Sequence, residues 1–347
     1  MRLFFSFRWL RASSAALFII AVCIAASATA HAQTLKSIKE RGAVACGVSQ
    51  GVLGFSAESA NHEWVGFDVD FCRALAAAIF NDTSKVKLLP VSATTRFAAL
   101  QAGDIDVLSR DTTWTMSREV DLGLEFAAVT YYDGQGFMVP RSRNVNSALD
   151  LGGSKICVQS GTTTELNLGD YFHSNDMAYE AVLGTSPDDS AKAYDEGRCD
   201  VLTSDASQLH AIRLKLTKPD DHIILPDLIS KEPFGPAVRQ GDDQWLNVVK
   251  WTAFALMNAE ELGVSSKNID DALKSNKPAV QRLVGKDGDY GERMGLTPDW
   301  AARIIRLVGN YGEIYERNVG VKSALGIPRG LNETWTAGGI MYAPPIR

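Results

Sequence analysis

The chain has 347 residues, 46% of them apolar and 22% charged, which excludes a disordered, collagenous or coiled-coil protein. Arg2, Arg8 and Arg11 all lie in the first 32 residues, so the overall charge of -6 becomes -9 for the remainder. That balance argues against nucleic acid and anionic membrane as partners, since both reward basic patches.

Those three arginines precede an uncharged run from Ala12 to Ala30 and an Ala30-His31-Ala32 cleavage signature. Residues 1–32 therefore read as a secretory signal peptide, cut after Ala32, and the mature chain is expected in an oxidising space beyond the cytoplasm. The apolar heart, Ala15 to Ala26, is too short and too rich in small residues for a good membrane anchor. Val22 before Cys23 is larger than a lipidation site accepts.

In chain order, Val44 to Val48 reads as a strand. Phe67, Phe71, Leu75 and Ile79, four residues apart, mark one face of a helix over 68–80. Val86 to Val91 reads as a strand, Arg96 to Gln101 as a helix stopped by Gly103, and Ile105 to Leu108 as another strand. A second such run begins at the strand Ile156 to Gln159 and reaches a strand over Asp200 to Thr203. Strands alternating with helices predict two mainly parallel, helix-flanked sheets, an α/β fold in two lobes. Residues 33–132 with 234–263 are assigned to lobe 1 and 136–229 to lobe 2. The chain crosses between them near Tyr131 to Gly136 and again near Ser230 to Gly235. The remaining residues, 264–347, include a helical pattern over Pro298 to Val308 and are expected to pack on lobe 1 as an extension.

Cys46, Cys72, Cys157 and Cys199 form an even set in an exported chain. Cys46 falls in the first strand and Cys72 in the following helix, whereas Cys157 and Cys199 fall in two strands of the second run. One bridge per lobe is predicted, Cys46 with Cys72 and Cys157 with Cys199. The four histidines beyond the signal, His62, His173, His210 and His222, show no metal or catalytic spacing, and neither metal nor cofactor is expected.

An internal echo points to the site. Gly103-Asp104-Ile105-Asp106-Val107-Leu108-Ser109-Arg110-Asp111-Thr112-Thr113 matches Gly197-Arg198-Cys199-Asp200-Val201-Leu202-Thr203-Ser204-Asp205-Ala206-Ser207 in register. Each copy reads as a helix stop, a buried strand and a loop presenting Asp and Ser/Thr at the strand's carboxyl end, where open parallel sheets bind ligands. Asp111 and Asp205 are thus expected on opposite walls of one cleft. Arg118 lies just beyond the first loop and can hold a carboxylate by a two-pronged bond. Ser160-Gly161-Thr162-Thr163-Thr164-Glu165 opens a helix whose free N–H groups attract an anion. Arg118 with Thr113, facing Asp205, supplies a cation and an anion for the two ends of a zwitterion. Arg96 and Trp114 are further candidates for the cleft wall. Gly47-Val48-Ser49-Gln50-Gly51 matches a nucleophile pattern but opens no helix, so the match carries little.

Val65 to Asp70, Arg96 to Leu100 with Gly103 to Asp106, Arg118, Gln159 to Glu165 and Cys199 to Asp205 together resemble the periplasmic amino-acid-binding proteins of ABC importers. Tyr131 to Phe137, Pro236 to Trp245 and Gly309 to Tyr315 resemble the general L-amino-acid-binding branch, over essentially the whole mature chain. The resemblance implies a type II periplasmic-binding-protein fold that closes on free L-amino acids, with Glu, Asp and Gln in its range, and delivers them to a membrane permease. It implies that Arg118, Thr113 and Thr163 hold the α-carboxylate, Asp205 the α-ammonium, and Arg96 an acidic side chain. Val52 stands where many relatives place an aromatic platform, which argues against a preference for a cationic side chain. A monomer is expected. The alternative is a periplasmic dehydratase or lyase on the same fold, for which Asp111 and Asp205 would have to act as general acid or base.

Overall fold

The computed structural model describes residues 33–347. The signal assignment lies outside them. The strands, in chain order, are β1 (Val44–Val48), β2 (Ala57–Glu58), β3 (Trp64–Val65), β4 (Val86–Pro90), β5 (Val107–Leu108), β6 (Leu124–Phe126) and β7 (Tyr131–Asp133). They continue with β8 (Gln135–Pro140), β9 (Lys155–Gln159), β10 (Glu180–Gly184), β11 (Val201–Asp205), β12 (His222–Ile224), β13 (Glu232–Phe234) and β14 (Ala237–Arg239). The helices up to the second crossing are α1 (Thr34–Arg41), α2 (Phe67–Phe80), α3 (Arg96–Ala102), α4 (Met116–Val120), α5 (Thr163–Ser174), α6 (Pro187–Asp195) and α7 (Ala206–Arg213). After it come α8 (Asp243–Glu261), α9 (Ile269–Ala272), α10 (Pro278–Leu283), α11 (Tyr290–Arg293), α12 (Trp300–Leu307) and α13 (Tyr311–Asn318).

Two five-stranded sheets carry the lobes, in the orders β4-β1-β5-β14-β6 and β10-β9-β11-β8-β12. The first three strands of each are parallel and the fourth is antiparallel, so the sheets have one topology. The sequence echo occupies the same place in both. Asp106 accepts the Ala45 amide of β1 at 2.7 Å, and Asp200 accepts the Lys155 amide of β9 at 2.9 Å, so each aspartate stitches the central strand to its neighbour. Gly103 and Gly197 both end their helices at positive φ, a conformation glycine adopts without steric cost.

Both predicted disulfides are present, Cys46–Cys72 and Cys157–Cys199, with Cα separations of 6.1 and 5.7 Å. They are not copies of one another. In the shared register Cys46 corresponds to Ile156 and Cys157 to Gly47, one residue apart, so the two bridges leave opposite faces of equivalent sheets. Cys199 precedes its strand, which begins at Val201, rather than lying in it.

The crossings lie side by side as the antiparallel pair β7 and β13, with Glu232 opposite Asp133 and Phe234 opposite Tyr131. The segment around Thr113 runs along the other edge of β13, through the Thr113–Phe234 bridge and the Trp114 amide donating to Pro233 O at 2.8 Å. Helices α12 and α13 pack on lobe 1, where Ile304, Ile305, Tyr311 and Tyr315 join α2 and α8 in one apolar cluster. Two smaller clusters fill lobe 2.

Candidate functional site

The loop after β5 is built around a buried carboxylate. Asp68, in the first turn of α2, accepts the Asp111 amide at 2.9 Å and the Ser109 hydroxyl at 3.1 Å. This fixes Asp111 at a φ of 35°, a region L-residues other than Asn and Asp seldom enter. Burial, then the neighbouring Asp111, pushes the Asp68 carboxyl up to about 8.

Three arginines of lobe 1 line the same cavity. Arg118 comes from α4, whose N-terminus Thr115 caps, and donates from Nη1 to the Thr113 carbonyl at 2.6 Å. Arg96 opens α3, and its guanidinium and that of Arg118 lie 4.7 and 5.2 Å from the centre of the Phe97 ring. Arg110 is tied by Nε to Val91 O at 2.9 Å. Burial lowers the Arg118 guanidinium to about 10, and burial with repulsion from Arg110 and Arg118 pulls Arg96 well below its ordinary value.

Lobe 2 contributes the ends of β9 and β11 and the start of α5. Thr162 caps α5, accepting the Glu165 amide at 3.3 Å, and its hydroxyl donates to Gln159 O at 2.7 Å. Thr163 turns its hydroxyl toward Glu232 at 2.9 Å. Asp205, at the end of β11, is raised well above the usual carboxylate range by burial and by Asp133, Glu232 and Asp111. Burial likewise lifts Asp133, in the crossing strand, to about 6.

The small cavity between the lobes therefore brings together Arg96, Asp111, Thr113, Arg118, Thr162, Thr163 and Asp205, seven of the nine site residues expected from the sequence. The other two lie elsewhere. Trp114 stacks on Phe126 with ring centres 5.6 Å apart, at the edge of a lobe 1 cluster rather than in the cavity wall. Gly161 spends its amide on Glu165 at 2.9 Å, and a Cβ there would meet Thr94 Cγ2 at 2.9 Å, so it marks a contact between the lobes. Val52 is buried in the lobe 1 core, and Ser49 is buried and bonded to Ser56, which removes the nucleophile pattern from any surface.

Sequence reading missed Glu232 and Gln208. The Glu232 carboxylate, 1% exposed, accepts from Thr113 and Thr163 through one oxygen and from Asn167 and Ser230, both at 2.7 Å, through the other. Gln208 reaches across the cleft to Asp111 at 2.5 Å and to its own Asp205 at 2.8 Å. Neither belongs to a motif. Glu232 lies beside Pro233 in the second crossing, and Gln208 stands where the echo places Trp114. Arg96 Nε, Asp111 Oδ1, Asp205 Oδ1 and Gln159 Nε2 are buried without a hydrogen-bond partner in this chain, donors and acceptors at one place, with Arg110 Nη1 3.8 Å from Asp111 Oδ1. That set suits a ligand bearing both charges. Among the described residues no cluster of His, Cys, Asp and Glu has the grouping for a metal ion, and none of the helices is long and apolar enough to cross a membrane.

Residues 44–268 match the model of the bacterial extracellular solute-binding proteins, family 3. The chain belongs to this family. It is 56% identical to the general L-amino acid-binding periplasmic protein AapJ of Rhizobium johnstonii, over 96% of this chain and 98% of that one. It is 47% identical to the glutamate/glutamine/aspartate/asparagine-binding protein BztA of Rhodobacter capsulatus, over 94% and 97%. A solved ABC transporter/periplasmic binding protein from Brucella ovis, with glutathione bound, superposes with a TM-score of 0.90 at 53% identity, covering 91% of this chain and all of that one. This solute-binding protein has the two-lobed type II fold.

Proposed function

We propose that this solute-binding protein captures free L-amino acids in the periplasm, glutamate, aspartate and glutamine among them, and delivers them to the permease of an ABC importer. The observation that carries the reading is the convergence of Arg118 and Arg96 from lobe 1 with Asp205 from lobe 2 on one cavity, where buried polar atoms of both kinds lack partners. The α-carboxylate is assigned to Arg118 and the start of α5, and the α-ammonium to Asp205 and Asp111. Arg96, with Arg110 beside it, is left for a side-chain carboxylate or amide. Burying a zwitterion is tolerable only when each charge gains an ordered partner, so closure is favoured for ligands that carry both ends.

The names of the relatives support this range, from general L-amino acids to the glutamate and aspartate group. Glutathione fits the same logic, since its γ-glutamyl end carries a free α-ammonium and α-carboxylate. Action as a monomer is part of this proposal. Calorimetric titration of ligand-stripped protein against the common L-amino acids, glutathione, and decarboxylated and deaminated analogues tests the reading. Binding of several amino acids but of neither analogue class is the expected result. Absence of all binding would overturn it.

A further inference from the structure

We propose that Gln208 is the residue that makes this site select a primary ammonium, acting as a positioning residue through Asp111 and Asp205. The inference rests on the amino-acid reading above. A primary amide carries two hydrogens, and Gln208 Nε2 commits both, one to Asp111 Oδ2 on lobe 1 and one to Asp205 Oδ2 on lobe 2. The amide's orientation is set by Ser204, whose hydroxyl donates to Gln208 Oε1 at 3.2 Å. Each carboxylate is thereby held by its Oδ2, and each keeps a buried Oδ1 that accepts no hydrogen bond, that of Asp111 lying 3.8 Å from Arg110 Nη1. Asp111 is further fixed from behind, because its amide is anchored on Asp68.

The neutrality of the residue matters as much as its reach. A lysine or arginine at this position would hold the two carboxylates together and also cancel their charge. Gln208 holds them without adding a charge, which leaves Asp205, the one of the two without an arginine ion pair, for the ligand ammonium to neutralise. A primary ammonium has three hydrogens, enough to satisfy both Oδ1 atoms with one left over. An N-methylated ammonium has two, and its methyl group must enter a buried polar wall. Asp205 interacts with Glu232, Asp133 and Asp111 as well as with Arg118, so carboxylates outnumber cations around it, whereas Asp111 has Arg110 as its own cation.

The test compares wild type with Gln208→Leu and Gln208→Asn, titrated calorimetrically with L-glutamate and with N-methyl-L-glutamate. Leucine removes both donors, and asparagine, one methylene shorter, retains an amide that cannot span from α7 to Asp111. Wild type is expected to prefer L-glutamate strongly. Both variants should lose roughly 10- to 100-fold on L-glutamate, the equivalent of one or two charge-assisted hydrogen bonds, and much less on the methylated ligand. The narrowed gap is what a merely structural role would not produce, since loss of fold weakens both ligands alike. Should the leucine variant fail to fold, the asparagine variant decides. An unchanged gap and unchanged L-glutamate affinity in the variants would overturn the role of Gln208 alone. A wild type that binds no L-glutamate would overturn the amino-acid reading with it.

Discussion

At the residue scale the site is a balance of buried charges, and its two ends respond differently to substitution. Arg118→Ala removes the cation assigned to the ligand carboxylate, and it should weaken every amino-acid ligand by about 3–5 kcal/mol, because a buried anion then loses its partner. Titration with L-glutamate and L-glutamine checks this, and equal losses for both would separate Arg118 from side-chain recognition. Asp68 offers a test of stability. Its carboxyl rises from 3.8 to about 8 on folding, so the native state holds a proton that the unfolded chain releases. Stability from this group is therefore full below pH 4 and is lost as pH rises toward 8. Asp68→Asn keeps an acceptor for the Asp111 amide and should make the decline in urea midpoint between pH 5 and 8 shallower, though Asp133 and Asp205, shifted the same way, preserve part of it. The paired aspartates and Arg118 were legible in the sequence because a strand followed by an Asp-containing loop recurs in register. Glu232 and Gln208 were not, since Glu232 meets both lobes from the crossing strand and Gln208 reaches across the cleft, and no local spacing records either.

At the scale of elements, the hinge shows how a short strand pair is kept from fraying. Opposite Tyr132 stands Pro233, whose carbonyl faces the Thr113 segment, and the Tyr132 backbone faces the other way, toward the extension. Asn332 accepts the Tyr132 amide at 2.7 Å and donates to its carbonyl at 3.0 Å, completing the edge of β7 with one side chain. Tyr131 stacks on Tyr315 in parallel, 5.8 Å between centres, and Tyr311 donates to the Thr130 carbonyl at 2.9 Å. Asn332→Ala leaves two buried backbone groups unpaired and should cost about 1–3 kcal/mol, with faster amide exchange over residues 130–133 and little change elsewhere. Protection equal to wild type in that segment would show the strand to be held by β13 alone. Periodicity predicted α2 within a residue of its start, because its apolar face repeats every four residues. The hinge segments are recognisable in the sequence as crossings but not as a strand pair, because strands of three residues carry no period to detect.

The whole molecule raises the question of why the chain continues past the family's common part, which ends at residue 268. Helix α2 answers it. Its buried face includes Ala74, Ala76, Ala77 and Ala78, side chains too small to shield a sheet from water but short enough to let another helix approach closely. Helix α12 packs there, bringing Trp300, Ile304 and Ile305, each at most 4% exposed. Arg317 and Asn318 of α13 then bond Asp70 of α2 at 2.8 and 2.7 Å, and Arg329 grips Glu260 of α8 with both guanidinium arms. The extension is thus a second layer of the lobe 1 core, and its removal should expose an alanine face that cannot form a core surface. A chain of residues 33–268 is expected to lose cooperative thermal unfolding and near-UV dichroism and to bind a hydrophobic dye, although both sheets and every cavity residue remain in it. A truncated chain that melts cooperatively and binds L-glutamate as the full chain does would show instead that lobe 1 is complete without its second layer. In that case the bonds to β7, rather than the packing on α2, would be what the extension adds.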